Sequence, residues 1–435
     1  MDSIWTSGIE RPRFDMLRGN AECDVLILGG GIAGILTAFM LKRAGVDCML
    51  IEAKEICSGI SENTTAKITI QHGLIYDKII KKYGLEKAKL YLEAQMRAMR
   101  KYSELCGEIS CDYEIQDSYV YSLGDISKIT DEVAALKRLG VNAKFCDRCS
   151  LPFDIAGAVR VPDQAQFHPL KFLFEIAKRL PIYENTKVLE LMPGRVITNR
   201  GEIKCQKIIV ATHFPIVNKH GGYFLKMYQH RSYVLALKGA SIPEGMYVDE
   251  SDTGLSFRHY KDLLLLGGGG HRTGKTGGNW RELQDFANKY YPRAKIVGRW
   301  AAQDCMTLDG IPYIGRYSRH TSNILVATGF NKWGMTSAMA AAIILTELVC
   351  GWESDCASVF SPSRSILHPQ LAINAAESII GLLTPRTPRC PHLGCALKYN
   401  KAEHSWDCPC HGSRFTEDGE LIDNPATDDK KNMPK

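Results

Sequence analysis

The sequence predicts an α/β protein: a doubly wound nucleotide-binding domain with an inserted antiparallel sheet, and a small β module at the C-terminal end. Three observations predict it. A strand, a glycine-rich turn, a helix and a second strand follow one another over residues 24–52. Helix and strand patterns at 76–155 and 216–300 interrupt that fold instead of continuing it. The run Cys390-Pro391-His392-Leu393-Gly394-Cys395 is answered by Cys408-Pro409-Cys410-His411-Gly412-Ser413 near the end of the chain.

The first unit opens with Asp24-Val25-Leu26-Ile27-Leu28, a buried-strand pattern, then Gly29-Gly30-Gly31-Ile32-Ala33-Gly34 and a helical pattern to about Ala44. A second strand, Asp47 to Ile51, ends at Glu52. Gly29, Gly31 and Gly34 hold the dinucleotide spacing, which serves a tight turn, close approach of a pyrophosphate and the packing of helix on strand. The amides of Ile32 and Ala33 open the helix where they face phosphate. Glu52 sits where a carboxylate holds ribose hydroxyls.

Composition bounds the rest. The 435 residues suffice for two or three domains around a large core, and 45% hydrophobic and 23% charged residues are ordinary for a globular chain. A net charge of +6 is small for this length and gives no reason to expect nucleic acid as a partner. Fifteen scattered cysteines do not read as a secreted disulfide framework. Met1 to Phe14 has no apolar signal core. The longest apolar run, Ala338 to Cys350, is too short to span a bilayer and contains Glu347. The expectation is a protein of a reducing cytoplasm without a membrane span. Nothing in the sequence sets the oligomeric state.

Thiolates and imidazoles together suit zinc or an iron–sulfur centre. The two C-terminal runs closely resemble the Rieske family, in which two Cys and two His hold a [2Fe-2S] cluster. The resemblance implies Cys390 and Cys408 on one iron and His392 and His411 on the other. It also implies Cys395 and Cys410 as the non-ligand pair that forms a disulfide in many relatives. A structural zinc knuckle is the alternative reading. The module at 387–435 is unusually small and lacks the base strands of its relatives. It is therefore expected to lean on the domain before it or on another subunit. Residues 351–386, rich in proline around a short helical piece, are expected to be a linker.

Residues 1–22 form a polar lead-in. Over roughly 1–380 the chain resembles the FAD-dependent D-amino-acid oxidase and glycine oxidase superfamily. Ser58-Gly59, Thr64-Thr65-Ala66-Lys67 and Gln71-His72-Gly73 look like the loop that passes the flavin. Asn185-Thr186-Lys187-Val188 looks like the strand that meets adenine, and Lys207 to Thr212 like the return strand. Thr307-Leu308-Asp309-Gly310 through Gly315 resembles the flavin-side motif. Ala327-Thr328-Gly329-Phe330 with Trp333-Gly334-Met335-Thr336 opens the last helix, whose amides would face the flavin pyrimidine edge. A subgroup carrying a C-terminal Rieske module also shares Phe360-Ser361-Pro362-Ser363-Arg364.

The implied layout is an oxidoreductase domain over 23–350. Its FAD-binding parts are 23–75, 156–215 and 301–350, and its cap parts are 76–155 and 216–300, forming a sheet that roofs the flavin. The implied activity is oxidation of an amine or amino acid by hydride transfer to FAD. Electrons then leave singly through the cluster to an external acceptor. A non-catalytic electron-transfer or redox-sensing protein is the alternative. Lys67, His72, Arg231, Tyr233, Arg258, His271 and Lys332 are the candidate pocket residues, with Arg231 and Arg258 suited to a substrate carboxylate.

Two patterns are expected to be structural only. Gly269-Gly270-His271-Arg272-Thr273-Gly274-Lys275-Thr276 fits a P-loop, but Gly277-Gly278-Asn279 interrupts where a helix should begin, so a glycine-rich turn of the roof is expected. His271 and Arg272 would face the ligand pocket. Cys106 with Cys111, and Cys146 with Cys149, lack the context of a zinc ribbon.

Overall fold

The computed structural model describes residues 3–192, 194–217, 220–251, 253–385 and 387–431. Its first sheet runs Tyr313–Ser318, Thr321–Thr328, Gly201–Val210, Ala21–Leu28, Cys48–Ile51, Ile182–Tyr183 across. All neighbours are parallel except the first pair. Ala21–Leu28 lies between Cys48–Ile51 and Gly201–Val210, so the turn after it opens at the carboxyl ends of three strands, where doubly wound folds bind ligands. Helices Ile32–Arg43 and Gly334–Cys350 pack on each other beside this sheet, buried over most of their length. That near-total burial explains why neither shows a polar stripe.

The second sheet has nine strands. Lys295–Thr307, Met227–Lys238, Leu263–Arg272, Ser256–Tyr260, Met246–Asp249, Glu114–Ser122 and Gly157–Gln166 follow in order, with Lys67–Ile68 and Lys144–Cys146 also paired to Gly157–Gln166. This roof therefore takes strands from 67–68, 157–166 and 295–307, across the boundaries expected from pattern. Strand pairing joins distant segments, and residue patterns do not mark which sheet a strand will enter.

A four-stranded antiparallel sheet, Lys398–Asn400, Ser405–Asp407, Arg414–Thr416 and Leu421–Asp423, forms the C-terminal module. Its apolar core is small. The buried members are Cys390, Cys395, Leu397, Cys408, Cys410, Phe415 and Ala426. The expected linker is folded and pinned. Arg364 pairs with Asp309 (Nε–Oδ2 2.8 Å) and donates to the Pro312 carbonyl at 3.0 Å. Two separate sequence motifs thus meet in one ion pair. Helix Pro369–Leu383 then lies against the cysteine loops: a Cβ on Gly381 would stand 2.4 Å from Cys410 Sγ.

Candidate flavin and iron–sulfur site

The glycines of the first turn divide their work. A Cβ at Gly29 would meet the Ala211 carbonyl oxygen at 2.6 Å, and one at Gly34 the Gly29 oxygen at 1.9 Å. Both are close backbone packings. At Gly31 the nearest atom to such a Cβ is Ser61 Oγ at 3.4 Å, on the wall of a cavity of about 1160 Å³. Gly29, Gly31, Ile32, Ala33, Glu52, Thr64, Thr65, Val188, Thr212, Gly329, Gly334 and Met335 line this cavity; Gly34, Ala66 and Thr336 stand behind it. Helices Ile32–Arg43 and Gly334–Cys350 both start at the cavity; neither is capped by its own N-cap side chain, and the Ile32 amide donates to Ser61 Oγ at 2.9 Å. The two N-termini give two concentrations of positive partial charge in one space. This suits a ligand that is anionic at its pyrophosphate and again, on reduction, at its ring. Glu52 accepts from the Gly30 amide at 2.7 Å and the Lys54 amide at 2.9 Å; burial raises its pKa against these amides. The residues present fit FAD.

Lys67 and Lys332 line the cavity. Burial, with the Arg258 guanidinium nearby, lowers the Lys67 ammonium from 10.5 to about 7. Lys332 stands near Asp304, a cavity-lining carboxylate whose pKa burial raises and Lys332 opposes. Sequence reasoning missed Asp304: it sits inside a long strand without a motif around it. His72 lines the cavity but is fully engaged. Nδ1 meets the Tyr91 hydroxyl at 2.7 Å, and Nε2 meets the Thr336 hydroxyl at 2.8 Å and the Thr69 carbonyl at 3.0 Å. Burial lowers it to about 3, so it stands neutral and braces the start of the last helix.

The two arginines have protein partners. Arg258 donates to the carbonyls of Thr65 (2.6 Å) and Ala66 (2.8 Å), holding the turn in which Ala66 has φ +54°. Arg231 points to the C-terminal module, where Nε donates to Glu403 Oε1 at 3.0 Å. Neither lines the cavity, in contrast to the expected contact with a substrate carboxylate. Tyr233 does line it, and its hydroxyl donates to Glu403 at 2.8 Å.

The P-loop look-alike is where the module docks. Arg272 donates to the carbonyls of Pro409 and Cys410, both at 3.2 Å, and to Asn374 Oδ1 at 2.9 Å. Gly274 packs on Pro409, and Lys275 pairs with Glu377 at 2.7 Å. His271 meets the Tyr233 hydroxyl at 3.0 Å. Arg272 thus faces the module and not the ligand pocket, and His271, outside the cavity lining as well, is held by Tyr233 and the Arg272 carbonyl. The hub is Glu403. Burial alone would raise its pKa, but Arg231 and Arg414 hold it at about 2. Arg414 in turn reaches Asp407 (2.9 Å) and Asp423 (3.0 Å).

The two cysteine loops repeat one backbone pattern. The Cys390 amide donates to the Cys395 carbonyl and the Gly394 amide to the Cys390 carbonyl; Cys408, Ser413 and Gly412 do the same, all at 2.8–2.9 Å. Cys395, Cys408 and Cys410 bring their sulfurs within 4.8 Å of one another, and Cys390 reaches Cys408. The His392 and His411 rings are 5.0 Å apart, near perpendicular. Both ring nitrogens of buried His411 lack a hydrogen-bond partner, and burial keeps the imidazole neutral. An orphaned neutral imidazole beside converging thiols fits a metal centre. The histidines point inward: His392 meets Phe214 edge-on at 6.3 Å and His411 meets Phe224 at 6.0 Å. Gln303 donates to the Gly412 carbonyl at 2.9 Å. None of the fifteen cysteines forms a disulfide, the expected pair Cys395 and Cys410 included. Cys106 and Cys111 are neighbours. Among the described residues, neither that pair nor Cys146 with Cys149 enters a metal-holding group.

A dinucleotide crevice under a roof sheet, with a Cys/His centre docked on it, defines a flavin oxidoreductase carrying an iron–sulfur module. The chain belongs to the FAD dependent oxidoreductase family (DAO), matched over residues 24–348, and residues 382–434 match the Rieske [2Fe-2S] domain. Its cofactors are FAD and a [2Fe-2S] cluster. It is 36% identical to YhfW of Bacillus subtilis (strain 168), named as a Rieske 2Fe-2S iron-sulfur protein, over 98% of this chain and 96% of that one. It is 24% identical to gamma-glutamylputrescine oxidoreductase of Escherichia coli (strain K12), over 78% of this chain and 86% of the relative. The fold is similar to L-proline dehydrogenase from P. horikoshii, with a TM-score of 0.68 and 18% identity over 80% of this chain and 98% of that one. No helix among the described residues is long and apolar enough to cross a membrane.

Proposed function

We propose that the chain is a dehydrogenase for an amine or amino acid: the substrate's C–H bond beside nitrogen breaks as hydride, and the two electrons leave one at a time through the cluster to an external one-electron acceptor. The observation that carries this reading is the inward docking of the cluster loops. His392 and His411 face Phe214 and Phe224 of the flavoprotein, and residues 421–427 of the module share the cavity with the dinucleotide glycines. FAD when bound supplies a two-electron acceptor and the cluster a one-electron carrier. The names of gamma-glutamylputrescine oxidoreductase and L-proline dehydrogenase support a CH–NH substrate.

The chain's own residues then have distinct work. Lys67, lowered to about 7, takes a proton from a substrate ammonium near neutral pH and so leaves the nitrogen lone pair free. Asp304 and Lys332 present opposite charges to the cavity, a fit for a zwitterionic amino acid. His72 holds the start of the last helix, whose amides would face the flavin. Cys390, His392, Cys408 and His411 hold the cluster. Cys395 and Cys410 lie together beneath Gly381, placed to form a disulfide under oxidation. The odd number and scatter of the fifteen cysteines, unlike a secreted disulfide framework, support a reducing cytoplasm as the compartment.

The test is anaerobic mixing of the two-cofactor protein with a panel of amines and amino acids. The expected result is bleaching of the flavin band, then the paramagnetic signal of the reduced cluster, and turnover with an artificial one-electron acceptor. A panel that bleaches nothing, with both cofactors in place, would establish the non-catalytic electron-transfer protein instead. Flavin reduction that never reaches the cluster would remove the exit path.

A further inference from the structure

One wall of the cavity does not come from the flavoprotein. Leu421, Ile422, Asp423, Asn424, Ala426 and Thr427, from the last stretch of the C-terminal module, line it together with the dinucleotide turn. We infer that residues 421–429 form a strap over the adenosine half of the FAD site, so that the iron–sulfur module also retains the flavin. The inference rests on the family's cofactor and not on the proposed substrate or electron route.

Three anchors place the strap. Lys54 Nζ donates to the Leu421 carbonyl at 3.0 Å. Lys187 Nζ meets Asp428 Oδ1 at 3.1 Å. Asn424 Nδ2 donates to the carbonyls of Thr212 (2.6 Å) and Phe214 (2.8 Å). Each anchor belongs to the nucleotide end of the fold. Lys54 follows Glu52 at the end of the second strand, Lys187 precedes Val188, and Thr212 follows the return strand Gly201–Val210. These are carboxyl ends of the sheet and its adjoining hairpin, the place where the adenosine side of a dinucleotide lies.

The strap is not a loose tail. Leu421–Asp423 is the fourth strand of the module sheet. The Ala426 amide donates to Ser413 Oγ at 3.0 Å, and the Leu421 amide to Asp429 Oδ1 at 2.9 Å. Its geometry is therefore set by the cysteine loops. FAD enters or leaves past the strap only when Asn424 and the two lysines let go. Lys54 is exposed and Asn424 and Lys187 are partly exposed, so each can be changed without opening a core.

The experiment uses the full-length holoprotein with Asn424→Ala, Lys54→Ala, and Lys187→Ala as the mildest variant. FAD release is followed by the rise of flavin fluorescence on dilution. Binding of ADP, which carries the adenosine half, and of FMN, which lacks it, is measured on flavin-stripped protein. Asn424→Ala should speed FAD release roughly tenfold, the scale of one lost charge-free bidentate anchor, with a further acceleration on adding Lys54→Ala. ADP binding should weaken by a similar factor and FMN binding should stay constant, with iron content unchanged. Unaltered FAD release in all three variants would overturn the strap. So would equal losses for ADP and FMN, which would mean general loosening.

Discussion

The nucleotide crevice and the C-terminal module are held together by different forces. The crevice stands on a parallel sheet with Leu26, Ile27, Leu50, Ile208 and Ile209 fully buried, and its glycines fit because backbone passes backbone. The module has strands of three residues each and a core in which four of seven buried members are cysteines. Isolated sheets of that size are marginal. What holds the module in place is polar: Glu403 between Arg231 and Arg414, Arg272 on two loop carbonyls, and Asn424 on the return strand. The crevice is self-supporting, while the module depends on the surface it docks against. A change at the glycine turn or at a cluster ligand should therefore be local, and a change in the docking contacts, the strap at 421–429 included, should cross the interface.

The largest effects are all-or-none and separate the two regions. Gly31→Val meets only Ser61 Oγ in the protein and otherwise projects into the space a pyrophosphate needs. It should give protein without flavin absorbance but with two iron and two sulfide per chain. Cys408→Ser or His411→Ala should do the converse, removing the reduced-state paramagnetic signal and keeping the yellow colour. Loss of both cofactors in either variant would show that the regions are not independent.

Next in size is Glu403→Gln, which breaks the comparison at its joint. It leaves Arg231 and Arg414 buried with one fewer counter-charge, and removing one partner of a buried ion pair costs about 3–5 kcal/mol. The module should come away from the cap at lower denaturant than the crevice unfolds, seen as loss of the cluster band before the flavin band. The wild type should show the same order on acidification. Glu403 is held at about 2 against 4.5 when free, so the stability it contributes is present above 4.5 and is lost as the pH falls toward 2.

The crevice was legible because its information is local: a strand, three glycines at fixed spacing and a carboxylate are contiguous in the chain. The cysteine loops were legible for the same reason. The joint was not. Arg231 and Glu403 are 172 residues apart; Arg231 suggested a substrate carboxylate instead, and nothing in the sequence around Glu403 marks it as the partner. The stretch Gly269 to Thr276 lacks the helix a phosphate loop needs, and its contacts with Pro409 and Cys410 left no trace in its own pattern. The same holds for Asp304 and Asn424, whose partners come from other elements. Arg258 shows the limit from the other side: its type suggested a carboxylate ligand, while its place behind Thr65 and Ala66 gives it backbone carbonyls.

A smaller effect sharpens the account of the cavity. Lys67 gives up its proton at about 7 in the folded protein against 10.5 when unperturbed, so the native state binds fewer protons than the unfolded chain between those values. Stability should rise with pH across that window. Lys67→Met should flatten this part of the profile in thermal melts from pH 6 to pH 9, which lie about the shifted value. It should also remove a rise in kcat/KM with an inflection near 7 for an amine substrate. A wild-type melting profile parallel to that of Lys67→Met would place the ammonium in contact with solvent.

The smallest effect concerns the cluster loop itself. Ser413 and Phe415 are fully buried, and Phe415 packs among Cys390, Cys395, Cys408 and Cys410. The Ser413 hydroxyl accepts from the Ala426 amide, which leaves its O–H free to donate, and it lies against the Cys390 thiol. Hydrogen bonds to cluster or ligand sulfur stabilise the more negative reduced state and raise the potential. Phe415 keeps a ring at the sulfur cluster and has no donor. Ser413→Ala should therefore lower the potential and Phe415→Tyr should raise it, each by part of the roughly 1.5–3 kcal/mol of a hydrogen bond to a charged group, since some of that bond is present before reduction. Protein-film voltammetry of the full chain measures both. An unchanged potential in both variants, with the cluster signal intact, would mean that neither side chain reaches the sulfurs. The module's dependence on its docking surface would then extend to the geometry of the cluster as well as to its stability.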